Sequence, residues 1–158
     1  RPKVADYPFT TKVPALGVIR VSPTFSMIMA DIPGLVEDAH QGAGMGVRFL
    51  RHIERTRVLL HLIDPNPILT PSAEERFDII MKELESYSPH LVHRPMIAVI
   101  TKLDLPENGP AAEQLKPVLE AKGFTVHEIS SHTGLGVKDL LREAARLLKQ
   151  TDSDHESL

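Results

Sequence analysis

Four short strings in the chain have residue types and spacings suited to phosphate and base chemistry. Asp31-Ile32-Pro33-Gly34 closes a run of apolar residues. A carboxylate at a strand end can hold Mg2+ through water, and a glycine three residues on lets its backbone N–H approach a terminal phosphate unhindered. The same four residues also describe a plain strand-to-loop turn. Thr101-Lys102-Leu103-Asp104 closes another apolar run. There Asp104 can accept two parallel hydrogen bonds from the ring N–H and exocyclic amine of guanine, while the Lys102 stem packs along the base. Adenine lacks that pair of donors, so an aspartate at this point selects the base. Taken alone, an exposed charged loop running into Pro106 is the plainer reading.

The third string, Ser130-Ser131-His132-Thr133-Gly134, is a small polar loop whose backbone N–H groups can bond the guanine carbonyl; it equally suits any loop leading into a helix near Val137. The fourth, Phe9-Thr10-Thr11-Lys12, lies in a Pro-rich irregular segment that can fold a threonine hydroxyl onto Mg2+. Three of the four strings close different apolar runs, in the order magnesium carboxylate, base selector, base loop. That order carries more than any one string does.

The elements that must position them follow from periodicity. Apolar, β-branched runs cover Leu16–Val21, Ser26–Ala30, Val58–Ile63, Met96–Ile100 and Thr125–Ile129. Helical spacing of apolar residues covers Gly44–Arg57, Ala73–Tyr87, Ala111–Lys122 and Val137–Gln150. Ser72 with Glu75 three positions later forms a capping box, and Gly123 stands where a helix ending near Lys122 needs a left-handed residue. Strand and helix in alternation predict an α/β fold with a parallel sheet, and in such sheets chemistry gathers at the carboxyl ends of the strands. All three strand-end strings are therefore expected on one parallel sheet. Residues 151–158 are expected to be a disordered polar tail after a domain at 1–150.

With 158 residues, 42% hydrophobic and 25% charged, the composition is that of one globular domain and excludes fibrous or low-complexity classes. The net charge of −3 argues against a domain held to nucleic acid by an overall positive field, so no direct DNA binding is expected. Zero cysteines exclude a disulfide scaffold, a zinc ribbon and a thiol nucleophile, and fit a reducing cytoplasm. No apolar run reaches the 18 or so residues that span a bilayer, so no membrane partner is expected.

Longer strings carry a resemblance. A-D-Y-P-F-T-T, then A-D-I-P-G-L-V-E-D-A-H-Q-G-A-G-M-G, then R-F-L-R-H-I-E-R-T-R-V-L-L-H-L-I-D closely resemble the Obg family of P-loop GTPases, and with the later motifs the resemblance runs from about Lys3 to Lys149. It implies a G domain, a three-layer α/β sandwich with a mostly parallel sheet. It implies a GTPase that takes GTP and GDP with Mg2+ and is linked to assembly of the large ribosomal subunit. By the same resemblance, Thr11 is the switch I magnesium ligand, with Thr10 its neighbouring alternative; Asp31 is the magnesium carboxylate and Gly34 the switch II glycine that senses the γ-phosphate. Thr101, Lys102 and Asp104 correspond to the guanine clamp, and Ser130, Ser131 and His132 to the loop that bonds the base, with Ser131 its backbone donor.

Three departures stand out. Leu35 follows Gly34 where Ras-like enzymes place a glutamine that orients the attacking water, a task beyond leucine. Obg-like proteins share this replacement, which implies slow hydrolysis drawing on other groups, a monovalent cation among them. Thr101 stands in place of the usual asparagine. No G-x-x-x-x-G-K-[ST] occurs among the 158 residues, and Arg1-Pro2-Lys3 resembles the exit from a first helix. The first strand, the phosphate loop and the first helix of a G domain are thus expected to be missing, which leaves a gap in the sheet. The alternative to a GTPase segment is a catalytically silent fragment that serves only as an interaction module.

Other constellations read more plainly. Gly42-Ala43-Gly44-Met45-Gly46 lacks the lysine of a phosphate cradle and does not directly follow a strand. His90-Leu91-Val92-His93 has metal-compatible spacing with no acidic partner close by. Arg48, Arg51, Arg55 and Arg57 describe either a solvated helix face or one turned toward RNA.

Overall fold

The computed structural model describes residues 15–31 and 54–156, and by internal packing it divides into two compact units, Arg1–Thr56 and Arg57–Leu158.

In the first unit, β1 (Ala15–Ser22) and β2 (Phe25–Asp31) form a two-stranded antiparallel hairpin, with Val18 opposite Ile28 and Ala15 opposite Asp31. The connection is two residues long, Pro23-Thr24, and the Thr24 N–H donates to Ser22 Oγ at 3.4 Å. So short a link permits only antiparallel pairing, because a parallel pair needs a crossover of a dozen residues or more. The expectation that the run ending in Asp31 belongs to one parallel sheet with the other strand ends is corrected: the described strands form two sheets.

The second unit opens with β3 (Leu59–Ile63), continues through α1 (Ala73–Tyr87) and the single turn α2 (Pro89–Val92) to β4 (Met96–Ile100), then α3 (Asn108–Ala121), β5 (Thr125–Glu128) and α4 (Val137–Glu156). The sheet order is β3-β4-β5, all parallel, with Ile63 beside Ile100 and Ile100 beside Glu128. Residues Ile97, Ala98, Val99 and Ile100 of β4 are fully buried, as a central strand covered on both faces must be. On one face Ile63, Ala98 and Ile100 pack with Phe77 of α1 and with Ala112, Leu115 and Leu119 of α3. His61 shares that face and stacks on Phe77, ring centroids 4.4 Å apart, while Phe124 meets Phe77 edge-on at 5.0 Å. Strand alternation turns Ile97 and Val99 to the other side. There His127 lies within electrostatic reach of Glu143 on α4, a helix that buries Leu140, Ala144 and Ala145.

Local chemistry explains the element ends. Ser72 Oγ accepts from the Glu75 N–H at 3.3 Å and Glu75 Oε2 accepts from the Ser72 N–H at 2.8 Å, closing the capping box of α1. Helix α3 starts at Asn108, three residues before the sequence pattern places it. Pro110 falls in its first turn, where backbone N–H groups have no intrahelical partner, so proline costs no hydrogen bond there. Gly123 takes φ 92° beyond the end of α3, as its position in the sequence requires.

One further expectation lies mostly outside the described residues, and another is corrected. Of the helix read at Gly44–Arg57, residues 44–53 lie outside the described residues, and 54–57 form a turn and a bend. Residues 151–156 are not a disordered tail but the last turns of α4: Thr151 Oγ1 donates to the Leu148 carbonyl at 2.8 Å, and Asp152 pairs with Arg57. A polar stretch continues a helix when its side chains bond the preceding turn and reach an ion partner, neither of which hydrophobic periodicity registers.

Candidate nucleotide-binding site

Parallel pairing brings the carboxyl ends of β3, β4 and β5 to one edge of the sheet, and the segments that leave them form a single polar cluster. Thr101 follows β4 directly. Its N–H and its hydroxyl both donate to the Ile63 carbonyl, at 2.9 and 3.1 Å, so the threonine ties β4 to β3.

Lys102 comes next and adopts φ 58°, in the left-handed region where a side-chain-bearing residue is uncommon. Two donors, Asn108 Nδ2 at 3.0 Å and the Leu105 N–H at 3.2 Å, meet its carbonyl and hold the turn. Its ammonium lies 2.8 Å from Asp64 Oδ2. Leu103 donates its N–H to the Ile129 carbonyl at 3.2 Å and packs against the core cluster, which anchors the loop from below.

Asp104 is exposed, and its Oδ1 accepts from the Ser130 hydroxyl at 2.7 Å. That bond, with the residue's own backbone N–H and the charges of His132 and Lys102, holds the carboxyl below the usual carboxylate range against a small desolvation penalty. Ser130 is fully buried; its Oγ also accepts from the Thr133 N–H at 3.1 Å, and its carbonyl accepts from the Gly134 N–H at 2.8 Å. Ser131 and His132 stand exposed at the tip of the loop. Gly136 closes it with φ 70°, and a Cβ there would lie 2.2 Å from the Glu128 carbonyl oxygen, so only glycine fits.

The structure therefore gathers Thr101, Lys102, Asp104, Ser130, Ser131 and His132 at one edge. Asp31 ends β2 in the other unit, with an exposed side chain. Thr10, Thr11, Gly34 and Leu35 lie outside the described residues. His90 and His93 are exposed at the short α2, and no group of three or more metal-binding side chains occurs among the described residues. No helix among the described residues is long and apolar enough to cross a membrane.

Three residues of the cluster escape a sequence reading. Asp64 follows the apolar run Val58–Ile63 directly, the same strand-end signal that singles out Asp31. Asn108 is fully buried and donates to both Asp64 Oδ1, at 3.4 Å, and the Lys102 carbonyl. Arg76 of α1 donates to the Pro71 carbonyl at 2.7 Å and to the Asp64 carbonyl. Nothing in the sequence marks the last two, whose partners are set by tertiary contacts.

The chain is 45% identical over 150 residues, 95% of its length, to the GTPase Obg of Caldicellulosiruptor saccharolyticus, and equally to that of Caldicellulosiruptor bescii. It spans only about a third, 35%, of the length of these curated relatives. Among solved structures, Era in complex with MgGDPNP and nucleotides 1506–1542 of 16S ribosomal RNA superposes with a TM-score of 0.63 at 21% identity, over 87% of this chain and 45% of that one, a likeness of fold. The pattern of the family described as 50S ribosome-binding GTPase matches residues 1–102, and with the Obg likeness along almost its whole length the chain belongs to that family, as an Obg-type G-domain segment.

Proposed function

We propose that these residues form the switch and base-recognition part of an Obg-type protein that binds GTP, hydrolyses it to GDP with Mg2+, and acts in assembly of the large ribosomal subunit. One observation carries the reading: Asp104, held by a buried Ser130 at the joined ends of β4 and β5, with Lys102 beside it. A carboxylate fixed in this way meets the two adjacent N–H donors of guanine without reorganising, and has no such pair to meet on adenine. Lys102 lends its stem as an apolar rail for the base, and the exposed loop at Ser131 and His132 offers donors toward the guanine carbonyl.

Mg2+ suits the donors assigned to it, since the exposed Asp31 carboxylate and the Thr11 hydroxyl are the hard oxygens this ion prefers. When bound, the ion neutralises charge developing on the β- and γ-phosphates. The backbone of Gly34 senses the γ-phosphate, and Leu35 leaves water activation to other groups, a monovalent cation among them. No phosphate-cradling motif occurs among the 158 residues, so that task falls to none of them. Ribosomal partnership rests on the family match. A cytoplasmic location rests on the cysteine-free composition.

The test is base selectivity in the full protein. Asp104→Asn should shift preference from guanine toward xanthine, whose ring carbonyl replaces the amine, as read by competition between GDP and XDP for a fluorescent GDP analogue. Unchanged preference for GDP removes Asp104 from base recognition.

A further inference from the structure

Asp64 has no part in the guanine reading, yet it is the most heavily anchored carboxylate at this edge. It is the first residue after β3, and Lys102 is the second after β4; the register pairing Ile63 with Ile100 makes them neighbours although 38 residues separate them. Asp64 Oδ1 accepts from the Asn66 N–H at 3.0 Å and from Asn108 Nδ2, while its backbone carbonyl accepts from Arg76. Oδ2 is given to the Lys102 ammonium at 2.8 Å. Burial by itself pushes the Asp64 carboxyl up, but the Lys102 hydrogen bond, the Asn66 N–H and the charges of Lys102 and Arg76 outweigh it and leave the group below the usual range.

Lys102 thus stands between two carboxylates, Asp64 at ion-pair distance and Asp104 two residues on, close enough for the Lys102 charge to act on it. Were the ammonium to turn to Asp104, an internal ion pair would occupy the acceptor that the two N–H donors of guanine need. We propose that Asp64 is a positioning residue of the base clamp: it takes the Lys102 ammonium, lays the lysine stem along the base site and keeps the Asp104 carboxylate open. Asn108, which donates to Asp64 Oδ1 and to the Lys102 carbonyl, fixes both members of the pair. The role rests on the guanine reading above.

Release of a fluorescent GDP analogue from the full protein, measured by stopped flow, tests it. Asp64→Asn should speed release about threefold to fivefold, the scale of a half-exposed ion pair, and narrow the preference for GDP over XDP by no more than the same factor, because Asp104 still selects the base. Lys102→Met keeps the apolar stem and loses the ammonium, so in that background Asp64→Asn should add nothing. Release unchanged by Asp64→Asn, or equal effects of that substitution with and without the Lys102 ammonium, overturns the proposal. If Asp64→Asn lowers the melting temperature of the nucleotide-free protein by more than about 5 °C, Asp64→Glu decides. That carboxylate still reaches the ammonium: release within twofold of wild type supports the pair, and release as fast as in Lys102→Met overturns it. A wild-type protein that binds GDP no better than ADP defeats the guanine reading itself and this role with it, whereas guanine-selective binding insensitive to Asp64 defeats this role alone.

Discussion

The Ser130 hydroxyl donates to Asp104 Oδ1 over 2.7 Å, and this bond joins the loops that leave β4 and β5. Ser130 is fully buried and its oxygen also accepts the Thr133 N–H, so one atom sets both the acceptor and the shape of the loop beside it. Ser130→Ala should cost about 1–2 kcal/mol of folding stability by urea denaturation, because two bonds to one buried group are lost together. The Asp104 carboxyl should rise toward its ordinary value in an NMR titration, since the hydroxyl is the main group holding it down. An unmoved Asp104 titration would separate the two residues.

His61 predicts an acid-sensitive fold. Burial against Phe77 pushes its pKa down from 6.5 to about 4, and its Nδ1 has no hydrogen-bond partner. Below pH 6.5 the unfolded chain takes up a proton that the folded chain refuses, so stability falls with pH until the folded imidazole also titrates near 4. The loss by pH 4 is about 3 kcal/mol, at 1.36 kcal/mol per unit of pKa difference. Comparing wild type with His61→Phe by denaturation at pH 7 and pH 4.5 isolates this group, because the carboxylates titrate alike in both. Equal acid sensitivity in the two proteins would contradict the assignment.

Gly136 allows no side chain. Gly136→Ala combines a left-handed backbone with a Cβ 2.2 Å from the Glu128 carbonyl oxygen. The expected loss is about 2–4 kcal/mol, from strain at a position that cannot relax without moving β5. Gly123→Ala is the control: its φ of 92° is also strained but the space around it is open, so it should cost less. A thermal melt of each variant ranks them, and the reverse order would refute the steric account.

At the start of α1, Ser72→Ala removes one half of the capping box and should cost about 1 kcal/mol. Glu75→Gln keeps an oxygen for the Ser72 N–H and should cost less, and it should remove any contribution of the lowered Glu75 carboxyl to stability between neutral and acid pH. Chemical denaturation at pH 7 and pH 3 checks both.

What the sequence determined by itself is whatever rests on neighbours along the chain. The apolar runs of β3, β4 and β5, the Ser72 and Glu75 cap and the left-handed Gly123 each follow from residues within a turn or a strand of one another. The strand-end strings at Thr101–Asp104 and Ser130–Gly134 were legible for the same reason, because a change from apolar to polar residues marks where a strand gives out. Tertiary structure alone decided how distant segments meet. Arg57 gave Asp152 an ion partner 95 residues away on a longer α4 than apolar spacing predicts. Asp64 shows the division most clearly. Its place at a strand end is visible in the sequence, but its bond to Lys102 exists because parallel register sets Ile63 beside Ile100, and register is fixed by which faces the sheet buries.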